Sequence, residues 1–152
     1  MTQRTRADQL VAEGRKRGNP VTDPGTEPLP PPVALAVVIS SGLVLAGHRV
    51  DGVPPWTFPG GEIGFGESPA ATAIRRTQAE TGLKVVTHGV IGARLHPRTG
   101  RHIVYLRAAV LEGAPRLADP EQIDDLRWFP PAELADLMPD MYPPVRELLA
   151  QL

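Results

Sequence analysis

Hydrophobic residues first gather at Val33–Ser40, where an almost continuous apolar run, β-branched at Val37, Val38 and Ile39, predicts a buried strand. Ser41-Gly42 reads as a turn and residues 43–47 as the returning arm of a hairpin. Residues 51–66 are rich in glycine and proline and read as loop. The strongest helical pattern covers residues 68–81. Ser68 suits its N-cap, Pro69 its first position, and Gly82 the left-handed residue that ends a helix. Ala70, Ile74 and Thr77 recur at helical spacing as a modest inward stripe, with Glu80 near the C-terminal end and to one side. Residues 85–95 and 102–111 predict two strands joined by the turn Pro97-Arg98-Thr99-Gly100. A short strand is expected at residues 126–129, and closing helices at Pro131–Leu137 and residues 144–152, each with proline near its first turn. Strands and helices alternate without regular βαβ spacing. The expected class is therefore α/β, a sandwich around a mixed β-sheet.

Before Val33 the pattern thins. Residues 1–19 are polar with a weak helical stretch at 7–16, and residues 20–32 carry six prolines, which predicts an extended spacer. The folded domain is thus expected at 33–152, behind a polar segment and linker at 1–32. A chain of 152 residues suits one domain of that kind.

Charge and composition then narrow the classes of function. A net charge of −1 gives no bulk attraction to nucleic acid or to a membrane surface. With no cysteine there is no disulfide, no thiolate zinc site and no cysteine nucleophile, which suits a reducing cytoplasm. No run approaches the roughly 20 apolar residues of a membrane span, and no apolar segment follows the basic N-terminus as a signal peptide would require. A cytoplasmic protein is expected.

The chemistry concentrates in residues 56–69, WTFPGGEIGFGESP, and the helix that follows. Gly60, Gly61, Gly64 and Gly66 let the backbone approach a ligand closely. Glu67 stands before the helix and Glu80 within it. Two such carboxylates can share a hard divalent cation, and that cation can clamp phosphate oxygens. The arrangement points to a diphosphate site.

The same residues resemble the Nudix box, G-x5-E-x7-R-E-U-x-E-E-x-G-U, with U aliphatic. Gly61, Glu67, Arg75, Glu80, Gly82 and Leu83 fall at its spacings. The approach from Trp56 to Gly61 is similar to the family's entry to the box, and Arg127-Trp128-Phe129-Pro130 with Glu133-Leu134 is similar to its late strand and helix. The resemblance runs from Val33 to Leu152. It implies a Nudix-type fold and a metal-assisted hydrolase of a nucleoside diphosphate linked to another moiety. Mg²⁺ or Mn²⁺ would be held by Glu80, Glu67 and the Gly60 carbonyl. Arg75 would brace Glu67, and Glu67 or Glu121, a loose counterpart of a late catalytic glutamate, would orient the attacking water.

Three positions depart from the box: Arg76 replaces a glutamate, Thr77 an aliphatic residue, and Ala79 the first of the paired glutamates. Arg76 lies four residues before Glu80, within ion-pair reach on one helical face. A guanidinium there repels a cation, yet its bidentate fork can bind phosphate directly. A second reading follows, a non-catalytic nucleotide-sensing or partner-binding module on the same scaffold. For the ligand itself, Trp56 and Phe58 can stack on a base or pack in the core. Arg94 and His96 can face a polyphosphate or simply be solvated hairpin residues. The expected partner is a nucleotide-like small molecule, with neither membrane nor nucleic acid, in a chain that can pair as a homodimer.

Overall fold

A computed structural model describes residues 29–152, of which Pro32–Leu152 form one compact unit. The expectations for the polar segment and for most of the spacer fall outside the described residues. The elements in order are β1 (Val33–Ser40), β2 (Leu43–Arg49), β3 (Trp56–Thr57), β4 (Gly60–Glu62), α1 (Pro69–Thr81), β5 (Lys84–Leu95), β6 (His102–Glu112), β7 (Ile123–Phe129), α2 (Pro131–Leu137) and α3 (Pro143–Ala150).

β1 is the hub. It runs parallel to β6, from Val33 opposite Ile103 to Val38 opposite Ala108, and antiparallel to both β2 and β4. β5 closes one edge against β6, while β2 carries β3 and β7 on the other side. The sheet is mixed, as expected.

The apolar run of β1 is continuous because both its faces are covered. Ala34, Ala36 and Val38 join Leu45, Ala73, Leu83 and Leu106 in a core beneath α1. Val37, with Val33, Leu35 and Ile39 around it, joins Phe58, Phe129, Leu134, Val145 and Leu149 in a second core beneath α2 and α3. Helices thus pack on opposite faces of one sheet, which makes the α/β/α sandwich. Truncating a fully buried member such as Leu45 or Leu134 to alanine would cost about 2–5 kcal/mol.

α1 forms largely as its caps predict. The Ser68 hydroxyl accepts the Ala71 N–H at 3.1 Å, Pro69 opens the first turn, and Gly82 closes the helix at φ 74°. Its buried face differs from the predicted stripe: Thr72, Ala73, Thr77, Glu80 and Thr81 point inward, while Ala70 and Ile74 are half-buried at the margin. Threonine is small enough to occupy a core-facing helix, and the Thr72 and Thr81 hydroxyls find partners there, so apolar spacing alone placed the stripe off-centre. Glu80 belongs to the buried face itself.

Residues 51–66 hold more structure than a loop. β3 and β4 form there because Trp56 and Thr57 pair with β2, and Gly60, Gly61 and Glu62 pair with Leu35, Ala34 and Val33. Glycine offers no side-chain pattern from which a strand can be read; the ladder partners decide it. β7 likewise begins at Ile123 rather than 126, because Ile123 and Asp125 find partners on β2 despite their polar surroundings. Remaining boundaries agree within a residue or two.

Candidate functional site

The β3–β4 corner delivers backbone to the end of α1. At Gly60, φ is 152°, and a Cβ would lie 2.1 Å from the Ala34 carbonyl oxygen. Only glycine fits there, and the bend it allows turns the Gly60 N–H onto Glu80 Oε1 at 3.0 Å. Glu80 is 7% exposed. Its other oxygen, Oε2, accepts from Arg76 Nη2 at 3.1 Å across one helical turn. Burial pushes the Glu80 carboxyl up, against the opposing pull of the Gly60 N–H and Arg76.

Gly61 completes this corner. A Cβ there would lie 2.7 Å from Arg76 Nε, so the guanidinium rests in the space the missing side chain leaves. Arg76 is itself only 27% exposed at its side chain.

Glu67 is held differently. Arg75 grips it with both Nε and Nη2, at 2.9 and 2.8 Å, while the Thr72 hydroxyl and the Gly64 N–H donate to Oε1 at 2.9 and 3.0 Å. The guanidinium, aided by Thr72, keeps this carboxyl down at about 2.

Beside these residues opens a cavity of about 1050 Å³. One wall carries Glu80, Arg75 and Arg76; another is the loop from Gly52 through Phe58 with Arg49 behind it. The β5–β6 hairpin and the α2–α3 connection supply the rest. Glu80 lines the cavity and Glu67 does not; Glu67 acts on it only through Arg75.

The hairpin side is basic and ordered. Arg94 donates from Nε to the Tyr105 hydroxyl at 3.2 Å and from Nη2 to the Asp140 carbonyl. Its guanidinium lies 5.8 and 5.3 Å from the ring centres of Tyr105 and Tyr142, which are stacked on each other. Arg98 pairs with the Asp140 carboxylate, and Arg101 with Glu62 at 3.2 Å. The Nδ1 of His96 accepts the Arg98 and Thr99 backbone N–H groups at 3.2 and 3.4 Å. Burial, with Arg94 nearby, lowers its pKa, which favours the neutral ring whose Nδ1 can accept these two N–H groups. Arg94 and His96 therefore line the cavity rather than extend into solvent.

Two aromatic expectations divide. Trp56 is half-buried on the cavity wall, edge-on to Phe129 at 4.9 Å, with Arg127 over its ring at 5.7 Å. Phe58 is 1% exposed and edge-on to Tyr105, so it lies in the core and offers no open face to a base. Glu121 is exposed and outside the cavity lining, where the neighbouring Gln122 stands instead.

The sequence pattern passed over Arg49, Glu62, Tyr105, Asp140 and Tyr142, all of which line the cavity. Asp140 sits between two helices with no motif around it. Only the chain's return to the hairpin gives it a role.

The donor set does not fit a resident Mg²⁺ or Mn²⁺. Among the described residues no three acidic or histidine side chains converge, and Glu67 and Glu80 are each bound by an arginine. Mg²⁺ needs close to octahedral oxygen coordination, with carboxylates free to supply it.

The model of the NUDIX domain matches residues 29–152 of this chain. An RNA pyrophosphohydrolase of Cereibacter sphaeroides is 44% identical over 62 residues, a stretch covering 40% of this chain and 38% of that protein. The chain thus matches well under half the length of this relative. The crystal structure of a NUDIX hydrolase from Nitrosomonas europaea shares the fold at a TM-score of 0.68 and 17% identity, covering 82% of this chain and 73% of that one. An Ap4A hydrolase of C. elegans does so at 0.61 and 18%, covering 78% and 93%. Structural likeness at such identities speaks for the fold alone. Because the family's own model spans all the described residues, the chain belongs to the NUDIX domain family.

Proposed function

We propose that this domain binds a nucleotide or nucleoside-diphosphate-linked molecule in the cavity beside α1 and hydrolyses its phosphoanhydride. The observation that carries the reading is the charge of the lining: six arginines against three carboxylates, with Glu80 buried among them. Such a wall receives the negative charge of a diphosphate and the further charge that develops as its bridge breaks. Pyrophosphate hydrolysis is also the activity in the name of the Cereibacter sphaeroides relative.

In this reading water forms a bond to phosphorus while the bridging P–O bond breaks, and the departing phosphate keeps the electron pair. Glu80 accepts the proton of the water. Its burial makes it the more basic of the two box carboxylates, whereas Arg75 leaves Glu67 too acidic for that task. Glu67 and Arg75 position the wall, and Glu121 has no part. Trp56 flanks the base, and the hairpin with Arg94 and His96 receives the distal phosphate. NUDIX hydrolases generally work with Mg²⁺ or Mn²⁺; since the donor set here does not fit one, no step is assigned to it.

The test is product release from a panel comprising ADP-ribose, a UDP-sugar, a diadenosine polyphosphate, nucleoside triphosphates and a 5′-triphosphorylated oligonucleotide. Each is assayed with Mg²⁺, with Mn²⁺ and with chelator. Glu80→Gln is expected to lower kcat on the preferred substrate by about a hundredfold. Absence of turnover above that variant on every compound refutes the reading.

A further inference from the structure

We propose that Arg76 takes the place of a divalent cation in this site, so that the cavity binds the diphosphate of its ligand through a guanidinium and without protein-held metal. The proposal rests on the diphosphate reading above and deepens it.

Three observations converge on Arg76. Its guanidinium pairs with the very carboxylate best placed to hold a cation, Glu80 Oε2 at 3.1 Å, while the Gly60 N–H occupies Oε1. Gly61 makes the room: a side chain there would strike Arg76 Nε, so the guanidinium is seated in a recess at the cavity wall. And among the described residues Arg76 makes a hydrogen bond only to Glu80, leaving most of its N–H donors unspent on the protein.

The electrostatics agree. A guanidinium and a divalent cation cannot share one carboxylate at contact distance without strong repulsion. With no third carboxylate at hand, a cation gains little there. A phosphate gains much: a planar donor fork, held in place by Glu80, meets two of its oxygens at once. Arg75 is less suited, because both its Nε and one Nη already grip Glu67. Ala79, exposed and outside the cavity lining, adds no carboxylate beside Glu80 to compete with that fork.

Calorimetry on the full chain tests this with inorganic pyrophosphate and with α,β-methylene-ADP, each in excess Mg²⁺ and in excess chelator. The dissociation constant is expected to differ by less than threefold between the two buffers. Arg76→Gln should weaken binding tenfold or more, and Arg76→Lys, which keeps the charge but loses the fork, should fall between. Mn²⁺ titrated into the protein alone should retain the paramagnetic resonance spectrum of the free ion. Arg76→Glu combined with Ala79→Glu should gain a bound-ion signal. Loss of affinity by tenfold or more in chelator, or bound Mn²⁺ in the unaltered protein, overturns the proposal and leaves the diphosphate reading standing. Failure of both probes to bind in either buffer overturns both. Should Arg76→Gln not fold, the chelator comparison and the Mn²⁺ titration on the unaltered chain still decide.

Discussion

Two threonines on the buried face of α1 should respond in opposite directions to the same substitution. Thr77 and Thr72 are both fully buried. The Thr72 hydroxyl donates to Glu67 Oε1 at 2.9 Å, whereas Thr77 Oγ1 has no partner among the described residues. Valine matches threonine in shape and differs little from it in helix propensity, so Thr→Val isolates the hydroxyl. At position 77 the substitution removes a buried, unpaired polar atom whose desolvation costs roughly 1–3 kcal/mol. The Thr81 hydroxyl, which donates to the Thr77 carbonyl at 2.7 Å, is untouched. Thr77→Val should therefore stabilise the domain by about 1 kcal/mol, or raise Tm by roughly 4 °C. At position 72 a hydrogen bond to a charged acceptor disappears, and Thr72→Val should cost about 1–2 kcal/mol. Urea unfolding followed by tryptophan fluorescence and circular dichroism reads both values. Equal destabilisation by the two variants would refute the reasoning, since it would mean that the Thr77 hydroxyl is paired in solution.

Two further expectations concern the glycine corner and acid stability. Gly60→Ala places a Cβ against the Ala34 carbonyl, and because backbone cannot yield as a side chain can, the variant should fail to reach the native fold or lose several kcal/mol by roughly the cost of overpacking plus strain. Gly61→Ala meets only the movable Arg76 side chain, so it should fold, with a smaller change in Tm, but bind pyrophosphate more weakly; equal loss of stability in both variants would contradict this. For Glu67 the sign runs from a carboxyl held at about 2 in the folded chain against 4.5 otherwise: its stabilising pairing with Arg75 is complete above the higher value and fades as pH falls toward the lower. Arg75→Gln should flatten that part of the stability–pH curve, and an unchanged profile would show the pair to be idle.

Much of this protein is determined by local pattern. The β1 run, the capped helix α1 and the alternation that excludes a doubly wound sheet are one-dimensional signals, because strand burial, N-cap chemistry and proline placement act over a few residues. The box spacing is of the same kind, and so is the ion pair of Arg76 with Glu80, which a helical turn imposes on residues four apart.

What the sequence could not reveal is set by contacts distant along the chain. The β4 ladder exists because β1 passes beside Gly60 and Gly61, and the burial of Glu80 exists because that ladder brings the Gly60 N–H to it. Phe58 and Trp56 are two residues apart and equally aromatic, yet β3 ends at Thr57, and beyond it Phe58 packs into the core against Tyr105 while Trp56 stays half-buried on the cavity wall. Arg94 reads as a hairpin residue until Tyr105, Tyr142 and Asp140 gather around it. Glu67 and Glu80 look alike in the chain, as two acids near one helix. Only the packed structure holds one half-buried and strongly acidic among its donors and buries the other so that its carboxyl is pushed up, because the shift of a carboxyl depends on which donors and how much water surround it, and neither is written in its own neighbours.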